Sequence, residues 1–284
     1  MSELLGRLFS FEDIGELLGV PFVQTALIAC AVLGVVAGVL APLIVSRGMS
    51  FAVHGTAELS FTGGAAALLA GVAVQYGAVL GAVVAAVVFG VLGLRQRERD
   101  AVIGVVLAFG LGLGVLMLSL YEGRASNKFG LLTGSVVAID TANIAVLSVV
   151  TVLVIATLAV LYRPLLFAST DPDVAVARGV PVRMLSLVFS VLIGLTTALV
   201  VPIVGAILVL TVMITPGAAA ARVTANPVLA TVLAVVFAET ALLGGIVLSL
   251  APGLPISGYV AAIAFLIYVV CRLVGSRRRA VSVA

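Results

Sequence analysis

Residues 46–64, SRGMSFAVHGTAELSFTGG, contain the single histidine of the chain and, four residues on, a glutamate: His54 and Glu58. In an α-helix an i, i+4 pair stacks on one face, so this spacing sets an imidazole nitrogen beside a carboxylate oxygen. Such a pair is half of a coordination site for a divalent transition metal. The segment is otherwise apolar, and an acid deep in a membrane helix costs roughly 2.5 to 3.5 kcal/mol on insertion scales, so it needs a partner, a water-filled cavity or an ion. The other account of the pair is a neutral imidazole hydrogen-bonded to a protonated or water-bridged glutamate that joins two helices. Glu239 is a second acid inside an apolar run. At 1.5 Å per residue His54 lies roughly 6 Å, Glu58 roughly 12 Å and Glu239 roughly 16 Å from the same side of the bilayer. Two carboxylates at similar depth can share one cavity; a lone hydrogen bond between helices is the competing account of Glu239.

Long apolar helices must hold these groups. With 63% hydrophobic and 10% charged residues and a mean hydropathy of +1.37, the chain is far outside the soluble range. Nine apolar runs reach the length that a bilayer requires: 22–45, 51–74, 77–94, 101–120, 144–161, 184–201, 203–221, 228–250 and 256–271. The expected fold class is all-α, a polytopic membrane protein of about nine spans. Eight result if the pair broken at Pro202 is one. Gly, Ala and Val dominate the runs, which lets helix backbones approach closely. With the C-terminus placed inside, twelve of the fifteen basic residues (Arg47, Arg95, Arg97, Arg99, Arg163, Arg178, Arg183, Arg222, Arg272 and Arg277 to Arg279) face the cytoplasm, and Arg7, Arg124 and Lys128 lie outside. The net charge of +3 is therefore a topology signal and points to no nucleic-acid partner. Residues 1–21 read as an extracytoplasmic amphipathic helix at the interface, 22–274 as one transmembrane domain, and 275–284 as a basic cytoplasmic tail.

The connections differ in what they carry. A turn at Gln75–Tyr76 joins the second and third runs outside, and RQRERD (95–100) reads as a solvated anchor. The outer segment 121–143 is too polar to span and too apolar for free coil; it reads as a short or re-entrant helix, or as a packed external loop. In the cytoplasmic loop 163–183, Asp171 as N-cap, Pro172 at the first helical position and Gly179 past the end bracket a helix of about six residues. A helix that short has no core of its own. Held on the cytoplasmic face, it is shaped to dock into a groove on another protein, or it is an orderly turn. Thr211, Thr215, Pro216 and Gly217 mark a kinked span.

Several activities are excluded. The one lysine, Lys128, lies in the outer loop and no G-x-x-x-x-G-K-[ST] stretch exists, so the chain does not hydrolyse ATP itself. One histidine and no H-E-x-x-H exclude a metalloprotease. GLPISG (253–258) has Pro255 where an intramembrane serine protease needs glycine, which leaves Ser257 as a turn residue.

Two stretches together resemble the membrane permease subunits of ATP-binding-cassette (ABC) importers for zinc and manganese. Arg47-Gly48-Met49-Ser50 followed by His54 and Glu58 is similar to the family's R-x-M-S stretch followed by Asp and, four residues on, His. DPDVAVARGVPVR and the span after it are similar to the family's coupling segment and its V-G-x-x-L-V run before a proline. The imidazole and carboxylate are kept here in exchanged order. The resemblance implies a type II ABC importer-like permease, a cargo of Zn2+ or Mn2+ with no resident cofactor, and a metal path at His54 and Glu58, with Glu239 as a further candidate. It also implies a second permease copy, an extracytoplasmic metal-binding protein, and a cytoplasmic ATP-binding subunit docked on Asp171, Pro172, Asp173, Arg178 and Gly179. Two copies would offer two His and two Glu, enough for a four-coordinate site. A secondary carrier using Glu58 and Glu239 as proton sites, and an ABC permease for a chelated metal, are the alternatives.

Overall fold

The computed structural model describes residues 14–92, 96–123, 130, 134, 141–250 and 256–283. Its helices are α1 (Ile14–Leu18), α2 (Pro21–Ser46), α3 (Ser50–Leu69), α4 (Val74–Leu92), α5 (Gln96–Leu120), α6 (Thr141–Thr170), α7 (Pro172–Ala177) and α8 (Val182–Val204). A 3-10 turn (Ala206–Leu208) leads to α9 (Val209–Met213), α10 (Thr215–Val223), α11 (Pro227–Leu250) and α12 (Ile256–Val283). No strand occurs among the described residues.

Among the described residues seven segments are long and apolar enough to cross a membrane, with Val74–Gly90 as a shorter apolar helix. They coincide with eight of the nine apolar runs. The ninth is α3, which carries His54 and Glu58 and is still largely buried. It reaches its position through glycines. A Cβ on Gly63 would run into the backbone of Gly77 on α4, and one on Gly81 into the Leu59 carbonyl. Close backbone approach of this kind is how helices associate where lipid is as apolar as leucine. Ser60 donates to the Ala78 carbonyl across the same contact (3.0 Å), and Thr62 donates to the Gly110 carbonyl of α5 (2.6 Å). On the other side of the bundle α2 packs on α11 at Gly38 and on α10 at Gly217. The outer faces carry exposed Val105, Phe109, Val149, Val160, Val232 and Phe265, as a hydrocarbon surround requires.

Four boundaries differ from the expectation. The turn after α3 falls at residues 70–73, where Gly71 adopts φ +72°, rather than at Gln75–Tyr76. Helix α8 runs through Pro202 and stops at Gly205, whose φ of +98° lies where only glycine sits without strain. Proline removes a donor but does not reverse the chain. The loop expected to begin at Arg163 is helical as far as Thr170, with Pro164 inside the helix and Leu165 fully buried. Helix α12 continues to Val283, through most of the stretch expected to be a tail. The kink at 211–217 is present: α9 ends at Met213 and α10 restarts with Pro216 in its first turn. Most of 1–21 and of 121–143 lies outside the described residues.

Replacing Gly63 by valine is expected to force α3 from α4 and lower stability by about 1 to 3 kcal/mol, the range for overpacking. A thermal unfolding midpoint in detergent equal to that of the unmodified protein would contradict the packing described.

Candidate functional site

The buried hydroxyls of α3 are bonded. Thr56 donates to the Ala52 carbonyl (2.7 Å) and Thr62 to the Glu58 carbonyl (2.8 Å) as well as to Gly110, while Ser60 reaches α4. His54 and Glu58 are the exception. Glu58 is 6% exposed, and its Oε2 and the His54 Nδ1 are buried with no hydrogen-bond partner among the described residues. Buried polar atoms are rarely left so, and each such atom calls for an explanation. One turn apart on one helix, these two offer lone pairs to the same region.

Helix geometry fixes where that region is not. At roughly 100° per residue His54 lies about 180° around α3 from Gly63, and Glu58 about 140°. The pair is therefore turned away from the glycine contact with α4. Gly55 packs on Phe89 of α4 and Ile103 of α5, and Thr62 and Leu59 occupy the α5 side. The remaining neighbours of α3 are α8, α9 and the 3-10 turn between them.

Glu239 occupies a different place. From α11 its carboxylate packs against α2: a Cβ built at Gly34 would stand 2.6 Å from Oε1 and 3.1 Å from Oε2. Oε2 has no hydrogen-bond partner among the described residues. The missing side chain at Gly34 makes the room that the carboxylate fills. Within one chain His54, Glu58 and Glu239 do not gather, since the described residues hold no group of three or more His, Cys, Asp or Glu able to bind a metal ion. A single copy thus presents one imidazole and one carboxylate at α3, and a separate carboxylate at α2.

At one end of the bundle stands α7. The Asp171 carboxylate accepts from the Val174 amide (3.0 Å), Pro172 opens the helix, and Gly179 reverses the chain at φ +79°. Ala175 alone in this helix is buried, at 0% exposure, while Val174 and Val176 are 43% and 61% exposed. Asp171, Pro172, Asp173, Arg178 and Gly179 are all exposed. The helix is pinned by one small side chain and presents the rest outward.

Arg47 was a topology marker in the sequence and is a structural centre here. From the α2–α3 turn it donates to the Leu165 carbonyl (3.3 Å), Ser169 Oγ (3.1 Å) and Ser186 Oγ (2.8 Å), and its guanidinium lies 5.5 Å from the centre of the Phe189 ring. The signal available beforehand was its place at a two-residue turn directly before the histidine helix.

Fold and site together define a polytopic α-helical membrane protein with ionisable groups held inside its bundle. The family model for the ABC 3 transport family matches residues 19–275, and the chain belongs to that family, the membrane permeases of metal ABC importers. Among its relatives are the manganese transport system membrane proteins MntC of Halalkalibacterium halodurans (29% identical, covering 82% of this chain and 80% of that one) and of Listeria innocua (31%, covering 70% and 71%). The manganese import system permease protein ScaB of Streptococcus gordonii is 28% identical over 70% of this chain and 72% of its own length. A chain of PsaBC from Streptococcus pneumoniae, solved in complex with Fab, has the same fold: TM-score 0.81, 24% identity, covering 91% of this chain and 94% of that one.

Asp171→Ala is expected to remove the cap of α7 at a cost of about 0.5 to 2 kcal/mol, speeding amide hydrogen exchange across 172–177 by roughly two- to thirtyfold. Asp171→Asn keeps an acceptor and should exchange nearly as the unmodified chain does. Equal protection in the alanine variant would show that the cap does not hold this helix.

Proposed function

We propose that the chain is the pore-forming subunit of an importer that moves a divalent transition metal, Mn2+ or Zn2+, into the cytoplasm. The observation that carries this reading is the buried, unpartnered pair of His54 Nδ1 and Glu58 Oε2. An imidazole and a carboxylate suit either ion, and manganese is the metal named for the MntC and ScaB relatives. One copy supplies two ligands, so the reading includes a second copy across a two-fold axis, which raises the set to two His and two Glu. Ions of this class bind through such donors reversibly, as cargo must. Glu239, set apart on α11 against α2, is assigned no ligand role in this reading.

The driving force comes from ATP hydrolysed on a separate subunit. In support, α7 is capped, exposed along most of its length and anchored by a single alanine. The ATP-binding subunit docks on Asp171, Pro172, Asp173, Arg178 and Gly179. Its closure pulls on α7 and switches the bundle between outward and inward access. The end bearing α7, the Arg47 turn and the C-terminus then faces the cytoplasm, and the N-terminus lies outside, where a metal-binding protein delivers the ion. Positive charge concentrated on that side supports the orientation.

Two measurements test the reading. His54→Ala and Glu58→Ala should abolish Mn2+ or Zn2+ uptake in cells while the protein still reaches the membrane; unchanged uptake in either would remove that residue from the path. Charge reversal at Asp173 or Arg178 should separate ATP hydrolysis from uptake, and an intact, fully coupled complex would refute docking at α7. Uptake by the permease alone in liposomes without any ATPase would favour a secondary carrier.

A further inference from the structure

Two segments must move together if α7 drives the pore: the stems that carry α7, and the start of α3, which carries His54. The stems are the last turns of α6, ending at Thr170, and the first turns of α8, beginning at Val182. They flank α7 directly in sequence, whereas α3 lies more than a hundred residues away in the chain.

We propose that Arg47 is the positioning residue that fastens the His54 helix to both stems of α7, so that displacement of α7 reaches the pore ligands. The assignment goes beyond the transport reading and rests on it. Arg47 spans the gap from one side to the other: Nη1 donates to the Leu165 carbonyl and Ser169 Oγ on α6, and Nη2 to Ser186 Oγ on α8. The face of the Phe189 ring, also on α8, supports the guanidinium from beneath. From Arg47 to His54 is seven residues, about two helical turns or roughly 10 Å, and most of that is the rigid first half of α3. Three hydrogen bonds to two helices need the planar fork of arginine; a lysine ammonium keeps the charge but presents it at one point.

A cavity of about 380 Å³ adjoins this junction, bounded in part by Ala52, Phe89, Pro172 and Ser190. It reaches from the first turn of α3 to the first residue of α7. The empty volume leaves the stems and α3 room to shift against α4 while Arg47 keeps them in register. An interfacial anchor would behave differently, since lysine serves that purpose equally well.

The test uses the complete complex in proteoliposomes, permease with its ATP-binding subunit and metal-binding protein, with Mn2+ uptake and phosphate release measured together. For Arg47→Lys and Arg47→Ala the proposal expects ATP hydrolysis to stay within about twofold of the unmodified complex while Mn2+ imported per ATP falls about tenfold, within the usual range of coupling energies. Ser169→Ala with Ser186→Ala, which leaves the charge in place, should lower the same ratio about fivefold, and should add little further loss in the Arg47→Lys background. This pair decides the matter if the arginine variants do not assemble. An unchanged ratio in Arg47→Lys and in the double serine variant overturns the assignment, as does an equal fall of both activities. Absence of ATP-driven import by the unmodified complex would overturn the transport reading itself, a result distinct from either.

Discussion

An ionisable side chain inside hydrocarbon is tolerated only if something in the protein repays its desolvation, and the arrangement of α3 follows from that constraint. The helix carries polar and ionisable residues among its apolar ones, so its neighbours must shield it on several sides. The glycine contacts with α4, the Thr62 bond to α5 and the flanking α8 do so. Buried hydroxyls on the helix are satisfied by carbonyls, which need no cargo. On this helix His54 and Glu58 keep buried atoms without a hydrogen-bond partner among the described residues, and in the proposed reading a passing cation is the partner that fits both at once. In that reading the cost of burying the pair is tied to the ion: occupied, the site is stabilised, and emptied, it is poised to bind again.

Much of this was legible in the sequence because the relevant signals are local. Hydropathy and length marked the spans, since a bilayer fixes how many apolar residues a helix needs. The i, i+4 pair was visible because spacing within one helix is independent of tertiary contacts. The bracket of Asp171, Pro172 and Gly179 located α7 to within a residue, because capping is decided by neighbours in the chain. Boundaries were misplaced where two local signals competed. Pro202 was taken for the break and Gly205 makes it, for a left-handed turn needs glycine while a proline near a helix end is accommodated. Likewise Arg163 and Pro164 suggested a loop, and the burial of Leu165 keeps that stretch helical.

Long-range placement was not legible. Depth along a span put Glu239 level with Glu58, but depth says nothing about which helix a side chain faces, and Gly34 on α2 draws this carboxylate away. Arg47 shows the same limit. Its partners at Leu165, Ser169 and Ser186 are 118, 122 and 139 residues distant, and no periodicity connects them. What the fold adds to the sequence is this junction, where the helix bearing His54 and Glu58 meets the stems of the exposed helix.

The central claim is that the imidazole of His54 ligates the cargo inside the bundle. Electron spin-echo spectroscopy of Mn2+ bound to the purified complex, held between its outward and inward states, reads this directly through nitrogen coupling to the metal. The account predicts one Mn2+ per two permease chains with a histidine nitrogen signal that His54→Gln eliminates. Bound Mn2+ without nitrogen coupling, or a nitrogen signal that survives His54→Gln, would contradict it.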